Sequence, residues 1–333
     1  MGSVREFAGV DIAVIVPCHN EVVAVGKVVS ELRAALPSAS VYVYDNNSTD
    51  RTAAEARAAG AIVRHESRKG KGNVVRRAFA DVDADVYLLI DGDDTYDASR
   101  AGDLVRLLLD GPYDHVVGAR RHSNVAAYRP GHTLGNRVLT SAAATLFGRE
   151  ISDMLSGFRA FSRRYVKSFP ALSREFEIET ELTLHSLHLR VPVAEIPVGY
   201  KERPSGGESK LRTYRDGLRI LRWIIGVTRV ERPTLFHGVL AGVLGVVSLI
   251  LGVPVVAEYL ATGLVPRFPT AVLASTIGLA AILLLALGYV LSATSHARQE
   301  SARLAYLRQA APQPVEVDIP IESSGATAAG SLA

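Results

Sequence analysis

Cysteine is almost missing from this sequence. Cys18 stands alone among 333 residues, which excludes a disulfide framework and a multi-cysteine zinc site. No basic region followed by an apolar run and a cleavage site opens the chain. No secretory signal is therefore visible, and the N-terminal part is expected in the cytosol. No internal repeat is visible either. The most informative absence is of charge. Leu235 to Ala257 contains no Asp, Glu, Lys or Arg, and neither does Phe268 to Leu291. Each run exceeds the ~20 residues that cross a ~30 Å hydrocarbon core. A purely soluble protein is disfavoured. So is a polytopic transporter, because about 230 globular-looking residues precede the first run.

What is present fits a globular part joined to a membrane anchor. The chain is 48% hydrophobic and 21% charged, with mean hydropathy +0.17 and a mildly basic pI near 9.0. Its net charge is +3. After a lead at 1–10, Ile12-Ala-Val-Ile-Val-Pro17 is an apolar run of strand length, suited to a parallel strand buried on both faces. A helical pattern spans Val22 to Leu36 and stops at Pro37. Val41 to Tyr44 is a second strand, followed by Asp45 and cap residues for a helix over about 50–59. Ala61 to Arg64 is a third strand, and Gly70-Lys71-Gly72 opens another helix. Asp85 to Ile90 is a fourth strand, ending on Asp91-Gly92-Asp93-Asp94. This alternation predicts βαβ units and a mostly parallel sheet. Ligands of such sheets sit beyond the carboxyl ends of the strands, where Pro17, Asp45 and Asp91 all fall.

Further along, a helix is expected around 134–147 and a strand over Ala194 to Tyr200. Residues 213–230 form a basic amphipathic helix, with Leu218, Leu221, Ile224 and Ile225 opposite Arg215, Arg219, Arg222 and Arg229. It lies at the membrane surface or packs on the globular domain as an ordinary helix. The resulting division is a domain over 11–212, the juxtamembrane helix 213–230, a two-span anchor over 231–295 and a largely disordered cytosolic tail over 296–333. Five arginines crowd the ~20 residues before the first span, and Arg298, Arg303 and Arg308 follow the second. The loop from Glu258 to Arg267 has one. The positive-inside rule puts both termini in the cytosol and that loop outside.

Asp91 and Asp93, two residues apart beyond a buried strand, can converge on one divalent cation, or they form a solvated turn. An EF-hand is excluded, because Gly102 stands at loop position 12. Asp45 with Asn47, Ser48 and Thr49 either caps a helix or meets a base or ribose. Glu21 either begins a helix or hydrogen-bonds a base.

Taken together, Val14-Ile-Val-Pro-Cys-His-Asn-Glu21, Asp45-Asn-Asn-Ser-Thr-Asp-Arg-Thr52, Gly70-Lys-Gly72 and Asp91-Gly-Asp93 resemble family 2 glycosyltransferases of the GT-A fold. Ser152-Asp-Met-Leu-Ser-Gly-Phe-Arg159, Arg203 and Ser209-Lys210 resemble the polyprenyl-phosphate sugar transferases of the dolichol-phosphate-mannose-synthase-like group. The paired spans resemble the anchor of bacterial members. The resemblance implies a nucleotide-sugar site of Pro17, His19, Glu21, Asp45, Gly92, Arg120 and Arg203. It implies Mg²⁺ or Mn²⁺ on Asp91 and Asp93, and an acceptor-phosphate site of Arg137 and Ser141. His19 stands where tyrosine is common in relatives, and Thr95 where glutamine is. Asp153, Glu177, Glu179 and Glu181 are further acidic candidates, Asp153 foremost.

The implied reaction moves a hexose from GDP- or UDP-sugar to a membrane polyprenyl phosphate with inversion. It would take place at the cytosolic face of the cell membrane, for glycoconjugate or envelope synthesis. No nucleic acid is involved. Gly238, Gly242 and Gly245 offer a small-residue face for a homo-oligomer. Two other readings compete. A processive polysaccharide synthase would carry Gln-x-x-Arg-Trp, but Arg219 stands in place of the glutamine before Arg222-Trp223. A non-catalytic nucleotide-sugar-binding adaptor would not need the Asp91/Asp93 pair.

Overall fold

The computed structural model describes residues 7–122, 152–171, 178–201, 226, 229 and 232–312. Strand β1 (Ile12–Cys18) explains its own composition. Ile12, Val14 and Val16 enter one hydrophobic layer, and Ala13 and Ile15 enter the other. With both faces covered, no polar alternation is tolerated. Strand β4 (Val86–Leu89) does the same, with Val86 and Leu88 on one side and Tyr87 and Leu89 on the other. Complete burial of one such side chain contributes about 1.5–3 kcal/mol.

With β2 (Ser40–Asp45), β3 (Ile62–His65), β5 (His115–His122), β6 (Arg159–Ser162) and β7 (Val193–Tyr200), these strands form a seven-stranded sheet of order β3-β2-β1-β4-β6-β5-β7. The β3-β2-β1-β4 half is parallel, and β5 pairs with β7 in parallel. The sequence-based expectation of a mostly parallel sheet holds with one exception. Strand β6 runs antiparallel to both its neighbours. Two reversals restore the direction, so the carboxyl ends of β5 and β4 point the same way.

Helices α1 (Val25–Ala35), α2 (Thr52–Ala58), α3 (Lys71–Asp81) and α4 (Ala101–Asp110) are followed by α5 (Arg163–Ser168) and α6 (Ile178–Leu189). Val25, Val28, Val29 and Leu32 of α1 share a core with Leu104, Val105 and Leu108 of α4. The opposite face is covered by Val74, Val75 and Phe79 of α3, Tyr165 of α5 and Leu182 of α6.

Two long helices follow, α7 (Pro233–Thr262) and α8 (Phe268–Leu307), both long and apolar enough to cross a membrane. They form an antiparallel hairpin. Thr234 Oγ1 lies 3.5 Å from the Gly288 carbonyl and Ser248 Oγ donates to Ala274 O at 2.8 Å. Gly263, with φ +70°, ends α7 in the left-handed conformation that glycine tolerates. Leu240, Ile250, Ile282, Leu283 and Tyr289 face outward, exposed. Gly238, Gly242 and Gly245 do not form the hairpin contact, for a Cβ at any of them would meet nothing within 4 Å. Helix α8 also passes the expected boundary at 295, so residues 296–307 are helix rather than the start of a disordered tail. The expected helices at 134–147 and 213–230 fall outside the described residues, save for Gly226 and Arg229, which are helical.

Candidate active site

The chain runs from β1 outward to β2 and β3, then crosses back to place β4 on the other side of β1. This reversal leaves a crevice beyond the carboxyl ends of β1 and β4. Ile15 pairs with Leu89, so Asp91 emerges level with Pro17. Cys18 pairs with Asp45, which brings the third strand end to the same rim.

The loops of this rim are tied together by side chains. His19 Nδ1 lies 2.8 Å from the Asn46 carbonyl. Asn20 sits at φ +58° and accepts from Thr49 N at 2.8 Å, while Glu21 N donates to Thr52 Oγ1 at 2.8 Å. Asn46 joins the loop after β2 to the one after β3. Its amide donates to Glu66 O and Arg68 O at 2.9 and 2.8 Å and accepts from Gly70 N at 2.7 Å. Asp45 accepts from Ser48 N at 3.3 Å, and its other oxygen lies 3.4 Å from His65 Nδ1. The sequence offered capping or ligand contact for Asp45. The structure shows turn bonding and leaves the carboxylate at the rim.

Beyond β4, Gly92 allows a close approach, since a Cβ there would strike Cys18 Sγ. Asp93 Oδ1 accepts from Thr95 N and Thr95 Oγ1, at 3.2 and 2.6 Å. Thr95 therefore braces Asp93 in the loop. Asp94, at φ +57°, pairs with Lys27 at 2.5 Å.

Asp91 is the centre of an arrangement for which the sequence offered Glu179 as an acidic candidate but not Lys71 as its partner. Lys71 Nζ lies 2.5 Å from Asp91 Oδ1 and 2.6 Å from Glu179 Oε1, and both Lys71 and Glu179 are buried. Burial alone would lower the lysine's pKa, but the two carboxylates raise it, so it stays charged. The Asp91 carboxyl is raised by burial, against the pull of Lys71, with Glu179 and Asp93 adding to the rise. One signal was available in the sequence. Lys71 opens α3, and a cation is unfavourable at a helix N-terminus, so a buried lysine there calls for anions. Gly157 closes the other side, where a Cβ would collide with the Asp91 carboxylate.

Asp153 faces the same region but is taken up by Arg120. The guanidinium donates through Nε and Nη2 at 2.8 and 2.7 Å, and the Arg120 backbone N–H at 3.1 Å. This pairing outweighs burial and holds the Asp153 carboxyl below its usual range. Arg120, expected to meet donor phosphates, thus has an internal carboxylate partner. The Ser156-Gly157-Phe158-Arg159 turn is held by a fully buried arginine. Arg159 donates to Met154 O at 2.6 Å, Ser156 O at 2.7 Å and Thr183 Oγ1 at 2.9 Å. Arg137, Ser141, Arg203 and Glu177 lie outside the described residues.

The residues present suit a divalent cation. Asp91 and Glu179 flank one buried lysine, Asp93 stands near Asp91, and Glu179 Oε2 is buried without a hydrogen-bond partner. Among the described residues no three acidic, histidine or cysteine side chains form a complete metal-ligand group. The protein therefore offers two loop carboxylates, and further oxygens would come from a ligand.

A switch-point crevice with an acidic pair beyond the fourth strand is consistent with the GT-A fold. The glycosyl transferase family 2 model matches residues 13–169. Glycosyltransferase AglJ of Haloferax volcanii is 34% identical over 233 residues, covering 68% of this chain and 75% of that protein. The chain belongs to glycosyl transferase family 2 and is a glycosyltransferase. Protein RfbJ of Shigella flexneri is 54% identical over 123 residues, 37% of this chain and 95% of that protein. A dolichyl-phosphate hexose transferase of H. volcanii is 29% identical over 227 residues, 68% of this chain and 98% of that protein. Among solved structures, glucosyl-3-phosphoglycerate synthase from Mycobacterium tuberculosis, with Mn²⁺, UDP and glucosyl-3-phosphoglycerate, has a TM-score of 0.54 at 23% identity. The match covers 67% of this chain and 80% of that one.

Proposed function

We propose that this protein transfers a hexose from a nucleoside-diphosphate sugar to a membrane polyprenyl phosphate, with inversion. The observation that carries this reading is the Asp91/Asp93 pair at the switch point of a domain continuous with two apolar helices. The kinship with a dolichyl-phosphate hexose transferase supports it.

Asp91 and Asp93 would hold Mg²⁺ or Mn²⁺, which when bound supplies positive charge to the donor diphosphate. Lys71 pairs with Asp91, and Thr95 hydrogen-bonds Asp93, so both carboxylates are braced in the loop beyond β4. An acceptor phosphate monoester is already mostly dianionic at neutral pH, its second pKa being about 6. No strong base is then needed. An acceptor oxygen attacks the anomeric carbon, the bond from that carbon to the diphosphate oxygen breaks, and the electron pair leaves with the diphosphate. Arg137 and Ser141 are assigned to the acceptor phosphate, and Arg203 to the donor. Orientation and charge stabilisation supply the rate.

The test is incubation with a panel of sugar nucleotides and polyprenyl phosphate, followed by mass spectrometry of the lipid. A sugar-phosphate lipid is expected. Arg137→Ala should raise the acceptor KM about ten- to a hundredfold with little change in donor affinity. Donor binding lost at unchanged acceptor KM would overturn that assignment.

A further inference from the structure

Helix α8 does not end where its apolar run ends. The apolar run gives way to Ser292 and then to charge from Arg298, yet the helix continues unbroken to Leu307. Span and extension are therefore one rod, and the stretch from Ser292 to Tyr306 adds roughly 22 Å at about 1.5 Å per residue.

The rod ends on the catalytic domain, in a site built to receive it. The Tyr306 hydroxyl donates to Asp114 Oδ2 at 2.8 Å. Asp114, just before β5, is fully buried. Its carboxylate also accepts from Ser162 Oγ at 2.6 Å and from Arg164 Nε and Nη2 at 2.5 and 2.7 Å. Two guanidiniums lie against the Tyr306 ring, Arg164 at 4.7 Å and Arg303 at 5.0 Å from its centre. Arg303 Nη1 donates to the Leu189 carbonyl at the end of α6, at 3.0 Å, and Ala302 packs against the core beneath. Residues 302, 303 and 306 share one helical face. Burial and the Asp114 carboxylate push the Tyr306 hydroxyl up to about 12, so it remains a donor at neutral pH.

Asp114 and Arg120 stand at opposite ends of β5. At about 3.3 Å per residue they are roughly 20 Å apart. The extension thus grips the amino end of β5, the end of the sheet opposite the crevice. A reactant free in solution would gain nothing from such a brace. A reactant confined to the bilayer needs the crevice held at a fixed height and tilt.

We propose that Tyr306 and Arg303 are positioning residues, fastening the cytosolic end of α8 to Asp114 and Leu189 so that the crevice meets a membrane-embedded phosphate acceptor. This rests on the acceptor reading given above. The full-length protein is compared with Tyr306→Ala and with Tyr306→Phe, which keeps the ring. Two readouts are taken. The first is the rate of tryptic cleavage after Arg303. The second is the ratio of kcat/KM for long-chain polyprenyl phosphate in phospholipid vesicles to that for a short-chain, water-soluble prenyl phosphate. For Tyr306→Ala, cleavage should quicken and the ratio fall, each about tenfold or more. Tyr306→Phe should move both the same way by less, because a hydrogen bond to a carboxylate is lost. Calorimetric donor affinity should not change. Either readout staying at the wild-type value in both variants overturns the proposal. Wild-type protein inert toward every prenyl phosphate overturns the acceptor reading and this proposal together, and that outcome is seen before any variant is made.

Discussion

Lys71 decides how much negative charge the crevice carries. Among the described residues it is the cation that pairs with both Asp91 and Glu179, and removing one partner of a buried ion pair costs about 3–5 kcal/mol. Lys71→Met should therefore lower the melting temperature sharply, and millimolar Mg²⁺ or Mn²⁺ should restore more stability to the variant than to the wild type. Equal stabilisation of both would separate the cation from this cluster. Asp93→Asn leaves the packing intact, so the fold should survive while turnover falls about a hundredfold or more, as it should in excess chelator. Full activity in either case would remove the metal from the reaction. Two buried histidines predict acid sensitivity of another kind. Burial, then Arg159 and His185, pull His115 well below its ordinary value, and burial pulls His185 down to about 3. An unfolded histidine titrates near 6.5. Between that pH and the folded values the unfolded chain binds protons that the native one does not. Stability should then decline as pH falls below about 6.5, by up to ~1.4 kcal/mol per pH unit per histidine. His185→Gln should flatten the decline between pH 6.5 and 5, measured by thermal unfolding at each pH. An unchanged slope would mean that His185 takes up its proton in the folded state.

Among the elements, Gly157 is the tightest constraint on the site, since a side chain there meets the Asp91 carboxylate. Gly157→Ala should cost about 1–3 kcal/mol of overpacking. Displacing Asp91 should also weaken the cation's stabilising effect about tenfold in apparent affinity. Cation titrations indistinguishable from wild type would show that Asp91 is not held from this side. The elements that sequence made legible are those whose burial follows a simple rule. Strands β1 and β4 are apolar on both faces, α1 runs up to Pro37, α2 closes before Gly60 and α3 opens on Gly70. The elements that stayed hidden break those rules for identifiable reasons. Strand β6 reads Arg-Ala-Phe-Ser, and Arg159 is buried there only because carbonyls and Thr183 accept its protons. Helix α6 buries Glu179, Thr180, Thr183, His185 and Ser186 along with its leucines, so no amphipathic stripe marks it. The same holds at the candidate site. Asp91 and Asp93 announce themselves at a strand end, whereas Lys71 and Glu179 lie 108 positions apart and meet only when α3 packs beside α6. The docking of Tyr306 on Asp114, 192 positions apart, had no local signal at all.

For the molecule as a whole, the side of the membrane on which each part lies follows from charge and from the hairpin. Arginines flank the outer ends of the pair, before α7 and after the apolar part of α8, while the turn between them holds Arg267, which pairs with Glu258 at 3.3 Å. Because α7 and α8 are antiparallel, the ends bearing Thr234 and Gly288 lie together and the turn lies at the far end. The contacts of Arg303 and Tyr306 with the catalytic domain put the end of α8 on the same side as that domain. Sugar nucleotides are supplied in the cytosol, so the arginine-rich side should be cytosolic and the 258–267 turn outside. Cysteine labelling can read this with little background. Cys18 is the only thiol, and burial, with Glu21, Asp45, Asp91 and Asp93 nearby, pushes it well above the usual thiol range. Thr262→Cys on intact cells should react with a membrane-impermeant maleimide, while Val315→Cys should react only after permeabilisation. The Thr262→Cys variant should keep wild-type activity, since Thr262 ends α7 at the turn. Labelling of position 315 but not 262 on intact cells would place the crevice outside, away from its donor, and would overturn the transfer reaction proposed for it as well as the topology.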